Sequence, residues 1–487
     1  MKKTLAIIIC LILTISASPG CSVLSVGETH AEYFGYVNDI KEDANLVFYE
    51  FPSNARIFDN LMQEFATQRI LPVFDVSTVF FDDGELSARF NVLYNNYFSY
   101  MNLWENRVFA FYIGSGISDE AKKLFYEKFS ESLPGIKIFV SSDSGEGFDG
   151  YIVEQGDTLP QRDVIFLKTD KENLSSAYEL SCSDSRISGI FLEGESGGIF
   201  ADKIIQKNVI DKDSVFAPNV KYFGYYHSGG FAGSEPLYAE VAAMGNSNLA
   251  FLEGSTVSEL EKALIECSEN GFKAFFYINF FFVWKNGEQV LNDNWEEVYA
   301  SYKVLFDKYG DDIFAFYVDE PKWNSINEES FRTATKTLRE DYPEKRMLAV
   351  LAVPSLGKEN ASYFEFCTDL GYDYYGMQSE AKRMEYLLLF SETAAYGQDL
   401  WLVPWACEIN GATEDLLLED LHACYDLAKK YNKIVGLLPF TYANADIGTR
   451  LGDWGKGFME YSNPESEYYM PELTAEHLRI GKEICGY

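Results

Sequence analysis

Residues 314–321 read FAFYVDEP, an apolar run of β-forming residues that ends in two adjacent carboxylates, Asp319 and Glu320, and a proline. Side chains alternate along a strand, so Ala315, Tyr317 and Asp319 share one face, and Phe314, Phe316, Val318 and Glu320 share the other until Pro321 fixes the turn. Two carboxylates held side by side in a half-enclosed cleft do not both ionise readily. The one whose pKa rises can deliver a proton near neutral pH, which is the task of a general acid. The bland account is a pair that caps the next helix or bonds to Lys322; the position at a strand end favours function.

Other residues of chemical use fall at the ends of similar runs. They are Tyr226 and His227, Glu253, Tyr277 and Asn279, Gln378 and Glu380, Trp405 and Glu408, and Tyr442, with Trp323 just beyond Pro321. Carboxylates and amides can bond hydroxyl groups and rings can stack on sugar faces, so a carbohydrate is the expected partner of such a set.

These residues can meet only if the strand ends converge. From position 221 the runs KYFGYYH, NLAFLEG, FKAFFYINF, IFAFYVDE, RMLAVLAVP, YDYYGMQ, LWLVPWAC and IVGLLPFTY alternate with helix-length segments. STVSELEKALIECSENG, for example, has a Ser/Thr start and a Gly stop. Eight strands in about 230 residues predict a (β/α)8 barrel, whose active-site face gathers the C-terminal ends of the strands. The first half repeats the pattern. FAFYIGSG at 109–116 answers FAFYVDEP, YFGYV at 33–37 answers YFGYY at 222–226, and NLVFYE at 45–50 answers NLAFLE at 248–253. ILPVFDVSTVFFDDGE from Ile70 likewise answers AFFYINFFFVWKNGE from Ala274. The eight runs of this copy occupy only about 165 residues, below the usual size of the fold, so some helices must be short or missing. The fold class expected is α/β: two tandem (β/α)8 TIM-type barrels, the first (33–213) trimmed or incomplete and degenerate, the second (220–487) carrying the chemistry.

Lys and Arg number 40 against 75 Asp and Glu, a formal charge of −35, which argues against nucleic acid or anionic lipid as partners. The segment MKKTLAIIICLILTISASPGC reads as an export signal over 1–21. It resembles a bacterial lipoprotein signal in which Cys21 is the lipidation site, although Ser18 and Pro19 depart from that pattern. The expected location is the cell surface or the medium, with membrane contact only through that anchor. The six cysteines beyond Cys21 form no CxxC pair and read as small apolar residues. Four histidines, at 30, 227, 422 and 477, have no metal-site spacing, so neither a metal nor a cofactor is expected.

FYVDEP resembles the fourth-strand signature of glycoside hydrolase barrels, in two versions. In the clan A-like version the acid/base is the Glu before a Pro after strand four, and the nucleophile a Glu after strand seven. The resemblance then implies Glu320 and Glu408, although Asp319 replaces the usual Asn and WACEING matches loosely. In the hexosaminidase-like version, of the family 20 and family 123 type, an Asp–Glu pair follows strand four. Asp319 would then orient the 2-acetamido group of the substrate, which is itself the nucleophile, and Glu408 would only bind. Both versions imply Glu320 as the proton donor. The competing expectation is a non-catalytic carbohydrate-binding surface lipoprotein. In the first copy, GSGISD at 114–119 lacks the third glycine of a dinucleotide loop. FDGYIVE resembles a chitinase-like strand without its intervening acids, and Glu193 and Glu195 read as a solvated rim.

Overall fold

The structure, a computed structural model, describes residues 28–487 except 155–156, 195, 208, 231–235, 377–378 and 445–454, and not the side chain of residue 410. The proposed signal segment and Cys21 lie outside the described residues.

Both copies close into eight-stranded parallel barrels in which the strands neighbour one another in chain order. The strands of the first are Tyr33–Val37, Leu46–Glu50, Leu71–Asp75, Ala110–Ile113, Lys137–Ser141, Gly150–Glu154, Ile165–Asp170 and Ile187–Glu193. Its economy lies in the connections. Helices Ala55–Gln68, Phe90–Leu103, Asp119–Ser132 and Leu174–Ser183 cover four of them, and the first, fifth and sixth have no helix among the described residues. The barrel is thus trimmed but not incomplete, because closure depends on strand pairing and its last strand pairs with its first. Inside it, Phe139, Phe166 and Phe191 lie over Gly150, Gly189 and Gly35 of neighbouring strands, where any Cβ would strike the ring. Large rings set against glycines fill the narrow interior.

The second barrel is built from Tyr222–Tyr225, Leu249–Phe251, Lys273–Tyr277, Ile313–Asp319, Arg346–Ala352, Asp369–Asp373, Asp399–Val403 and Ile434–Leu437. Helix Val257–Glu269 starts where expected, with a capping box between Thr256 and Glu259. Between the third and fourth strands a hairpin, Phe282–Lys285 and Glu288–Leu291, precedes the helix Trp295–Tyr309.

One strand departs from the sequence reading. The sixth spans Asp369–Asp373, upstream of the expected YDYYGMQ. Strand propensity disfavours Asp at a strand start, yet Asp369 is buried there, ion-paired with Arg346 and accepting a hydrogen bond of 2.8 Å from the Trp401 indole. Partners from the two neighbouring strands satisfy the charge, and the strand end therefore falls at Asp373.

The barrels share a core. One apolar cluster runs from Phe58, Met101 and Trp104 of the first barrel to Leu421, Tyr431 and Leu437 of the second. Polar contacts pin the seam: Asp59 accepts from the Trp104 indole at 2.8 Å and pairs with Lys430 at 2.7 Å, while buried Lys433 pairs with Glu105 at 2.6 Å. Among the described cysteines Cys267, Cys367 and Cys407 are buried, and all six are free thiols.

Candidate active site

The C-terminal mouth of the second barrel is walled by rings. Tyr226 stacks on Phe251 at 4.3 Å, Tyr317 lies edge-on to both, and Tyr277 leans on Tyr317 at 5.4 Å. Across the mouth, Tyr375 stacks on Phe440 at 4.8 Å, and Phe440 also meets Tyr226 and His227. Strand alternation explains the inward set: Tyr317 and Asp319 point into the barrel, and Phe316 packs outward on Phe306 and Tyr342.

Asp319 is the last residue of its strand, with its carboxyl against the hydroxyls of Tyr317 and Tyr226. The Tyr226 hydroxyl is buried and makes no well-formed hydrogen bond although Asp319 and Tyr317 face it. Glu320 follows in the left-handed region at φ +40°, a strained conformation for a non-glycine residue. This turn breaks the alternation that would have sent Glu320 outward, and its carboxyl comes within hydrogen-bonding reach of Asp373 at the end of the sixth strand.

Three carboxyl groups thus gather at one point, and burial raises the pKa of each. Glu320 is pushed up to about 7, first by loss of solvent and then by the Asp319 charge, against the opposing hydrogen bond from Asp373. Asp373 is pushed well above the usual carboxylate range by burial and by the charges of Glu320 and Asp319. Tyr375 donates to it at 2.9 Å. Asp319 is also raised by burial, opposed by Tyr317, His227 and Tyr226, which favour its charged form. Near neutral pH the cluster holds protons that ordinary carboxylates would have lost, and Glu320 and Asp373 titrate as a pair. His227, itself at φ +50°, bonds through Nδ1 to Glu253 at 2.8 Å.

The expected site residues separate into groups. Asp319, Glu320, Tyr226, His227, Glu253 and Tyr277 come together at the mouth. Glu408 does not join them: it is exposed, and its carboxylate accepts from the Lys456 backbone N–H at 3.0 Å. Trp405 is buried, its backbone N–H bonded to Asp420, so its ring offers no open face. Tyr442 packs with Tyr225 and Phe458 beneath the C-terminal helix Pro471–Cys485, away from the carboxyl cluster. Asn279 is exposed on a short turn, Glu380 is the exposed first residue of a helix, and Trp323 is exposed on the loop after Pro321. Gln378 lies outside the described residues. Sequence reasoning missed Asp373, Tyr317, Tyr375 and Phe440. The signal for Asp373 was an acidic residue closing the run DLGYD, hidden by the displaced strand.

No protein-family model matches the chain, and no curated protein does. Among solved structures, a fungal β-1,4-galactanase is similar at a TM-score of 0.38 and 11% identity, over 53% of this chain and 99% of that one. The mannotriose complex of a Thermomonospora fusca β-mannanase gives 0.33 and 14%, over 53% and 90%. The catalytic domain of a Pyrococcus furiosus chitinase gives 0.36 and 14%, over 56% and 98%.

Proposed function

We propose that the protein is an exported glycoside hydrolase-like enzyme that cleaves glycosidic bonds of an oligo- or polysaccharide at the mouth of its second barrel. The observation that carries this reading is the meeting of Asp319, Glu320 and Asp373 within walls of aromatic rings, with Glu320 at about 7. Protonated Glu320 donates to the glycosidic oxygen as the bond to the anomeric carbon breaks. Asp319, its charged form favoured by two tyrosine hydroxyls, faces the positive charge that develops on the sugar or orients a substrate acetamido group that attacks it. Ionised Glu320 then takes a proton from the water that completes hydrolysis. Asp373 stands behind Glu320 as its proton partner.

The position of Glu408 bears on the choice between the two resemblances. A carboxylate bonded to the backbone of Lys456 supports the Asp–Glu arrangement over a protein nucleophile after strand seven. The same observation favours a second reading, a non-catalytic carbohydrate-binding surface lipoprotein, because that role requires no nucleophile. Assay of wild type and Glu320→Gln on a panel of aryl glycosides, including N-acetylhexosaminides, and on polysaccharides separates them. Glycosidase function predicts turnover that falls roughly a thousandfold in the variant. Binding without hydrolysis at any pH would establish the second reading instead.

A further inference from the structure

The hairpin after the third strand and the loop after the fourth pack together in both barrels. In the first barrel the hairpin is Phe81–Asp82 with Glu85–Leu86, and Ser118 of the fourth-strand loop donates its N–H to Gly84 at 2.8 Å and its hydroxyl to Glu85. In the second barrel Gln289 of the hairpin donates its N–H to Ser325 and its side-chain amide to Asn324, at 2.8 and 2.9 Å. The shared arrangement is architecture. What differs is the side chains it displays.

Aligned by FFDDGE and VWKNGE, Phe81 of the first hairpin corresponds to Trp284 of the second; aligned by FAFY, Ser118 corresponds to Trp323. Phe81 is buried at 4% exposure, whereas Trp284 and Trp323 are 61% and 60% exposed. Among the described residues, Trp104, Trp401 and Trp405 are buried to 2% or less and Trp295 is half-buried, so Trp284 and Trp323 are the two exposed indoles. Trp284 sits directly opposite Gln289 in the hairpin, and facing residues of a strand pair project to the same side. That side is the one from which Gln289 reaches Asn324, the neighbour of Trp323. Both indoles therefore stand on one rim, carried by the segments that leave Tyr277 and Asp319–Glu320.

We propose that Trp284 and Trp323 form a stacking platform for sugar units of a glycan chain extending outward from the Asp319–Glu320 centre, so that the substrate is a chain of several sugars. This rests on the glycosidase reading and names its substrate class. An indole offers an apolar face to sugar C–H groups and an N–H to hydroxyls, which is what a neutral glycan needs. A protein of net charge −35 does not select an anionic one. The copy whose fourth strand runs into Gly114-Ser115-Gly116 instead of a carboxylate pair lacks both indoles, so platform and acid pair occur together.

The test uses the full chain carrying Glu320→Gln, titrated by calorimetry with di- to hexasaccharides of the gluco, manno, galacto, xylo and N-acetylglucosamine series. The platform predicts affinity that rises with chain length, and Trp284→Ala and Trp323→Ala that each weaken hexasaccharide binding roughly tenfold and flatten the length dependence. Trp→Phe variants should recover part of the loss, which shows that stacking and not folding was removed. Binding whose length dependence survives in the double Trp→Ala variant overturns the platform and leaves the glycosidase reading standing. If no series binds and wild type hydrolyses none of them, both fall, and the exposed indoles become candidates for a protein contact.

Discussion

At the scale of single residues, the sign of each neighbour's effect on Glu320 makes the acid assignment testable. The Asp319 charge raises Glu320, and the Asp373 hydrogen bond lowers it. Activity that requires protonated Glu320 is present below its pKa and lost as pH rises through about 7. Asp319→Asn should therefore move the alkaline limb of kcat/KM to lower pH, while Asp373→Ala, which removes the hydrogen bond to ionised Glu320, should move it higher. Burial remains the largest cause in both variants, so neither limb should return to the ordinary glutamate range. Residual activity measured from pH 4 to 9 decides; limbs that shift together in one direction would remove Glu320 from the acid role. The left-handed backbone at Glu320 and at His227 fits the same picture, since strain of this kind persists only where surrounding structure holds it.

At the scale of elements, the sixth strand decides what the site contains. Its start carries Asp369 between Arg346 and Trp401, and its end carries Asp373 beside Glu320. Asp369→Leu leaves the Arg346 guanidinium with Asp399 as its one remaining ion-pair partner among the described residues, and the Trp401 N–H without its acceptor. A loss of about 3 kcal/mol is expected, read by urea denaturation, and with it a disturbed Glu320 titration because the strand that holds Asp373 loses its anchor. The strands themselves were largely legible, because barrel strands buried on both faces read as apolar runs and the duplication gave the first four runs a counterpart. The shortage of helices in the first barrel was legible from spacing alone. The sixth strand was not, since its identity depends on partners 23 and 32 residues away in the chain, Arg346 and Trp401, that cancel an unfavourable local propensity. The site follows the same rule. Asp319 and Glu320 are adjacent and could be read directly, whereas Asp373, Tyr375 and Phe440 reach them only through closure of the barrel. Tyr442 and Trp405 lie in the right segments, and only packing shows that their rings turn away from solvent.

At the scale of the whole molecule, the first barrel has no strand-four acid, and its visible work is to hold the second. Lys433 lies wholly out of solvent, with burial pushing its pKa down and Glu105 of the first barrel opposing that shift. Asn102 donates to the carbonyls of Ser391 and Ala394 across the same seam, and Arg107 donates to those of Val215, Phe216, Ala217 and Lys430. An apolar cluster continuous across both barrels should make them unfold in a single transition. Glu105→Gln leaves the Lys433 ammonium buried without its counter-charge, a loss of about 3 to 5 kcal/mol. The double variant Glu105→Leu with Lys433→Met removes both charges and keeps the volume, so it should recover most of that loss. Calorimetry of the single and double variants measures the coupling. Two separate transitions in wild type, or a double variant no more stable than Glu105→Gln, would mean that the barrels are independent and that the second needs no support from the first.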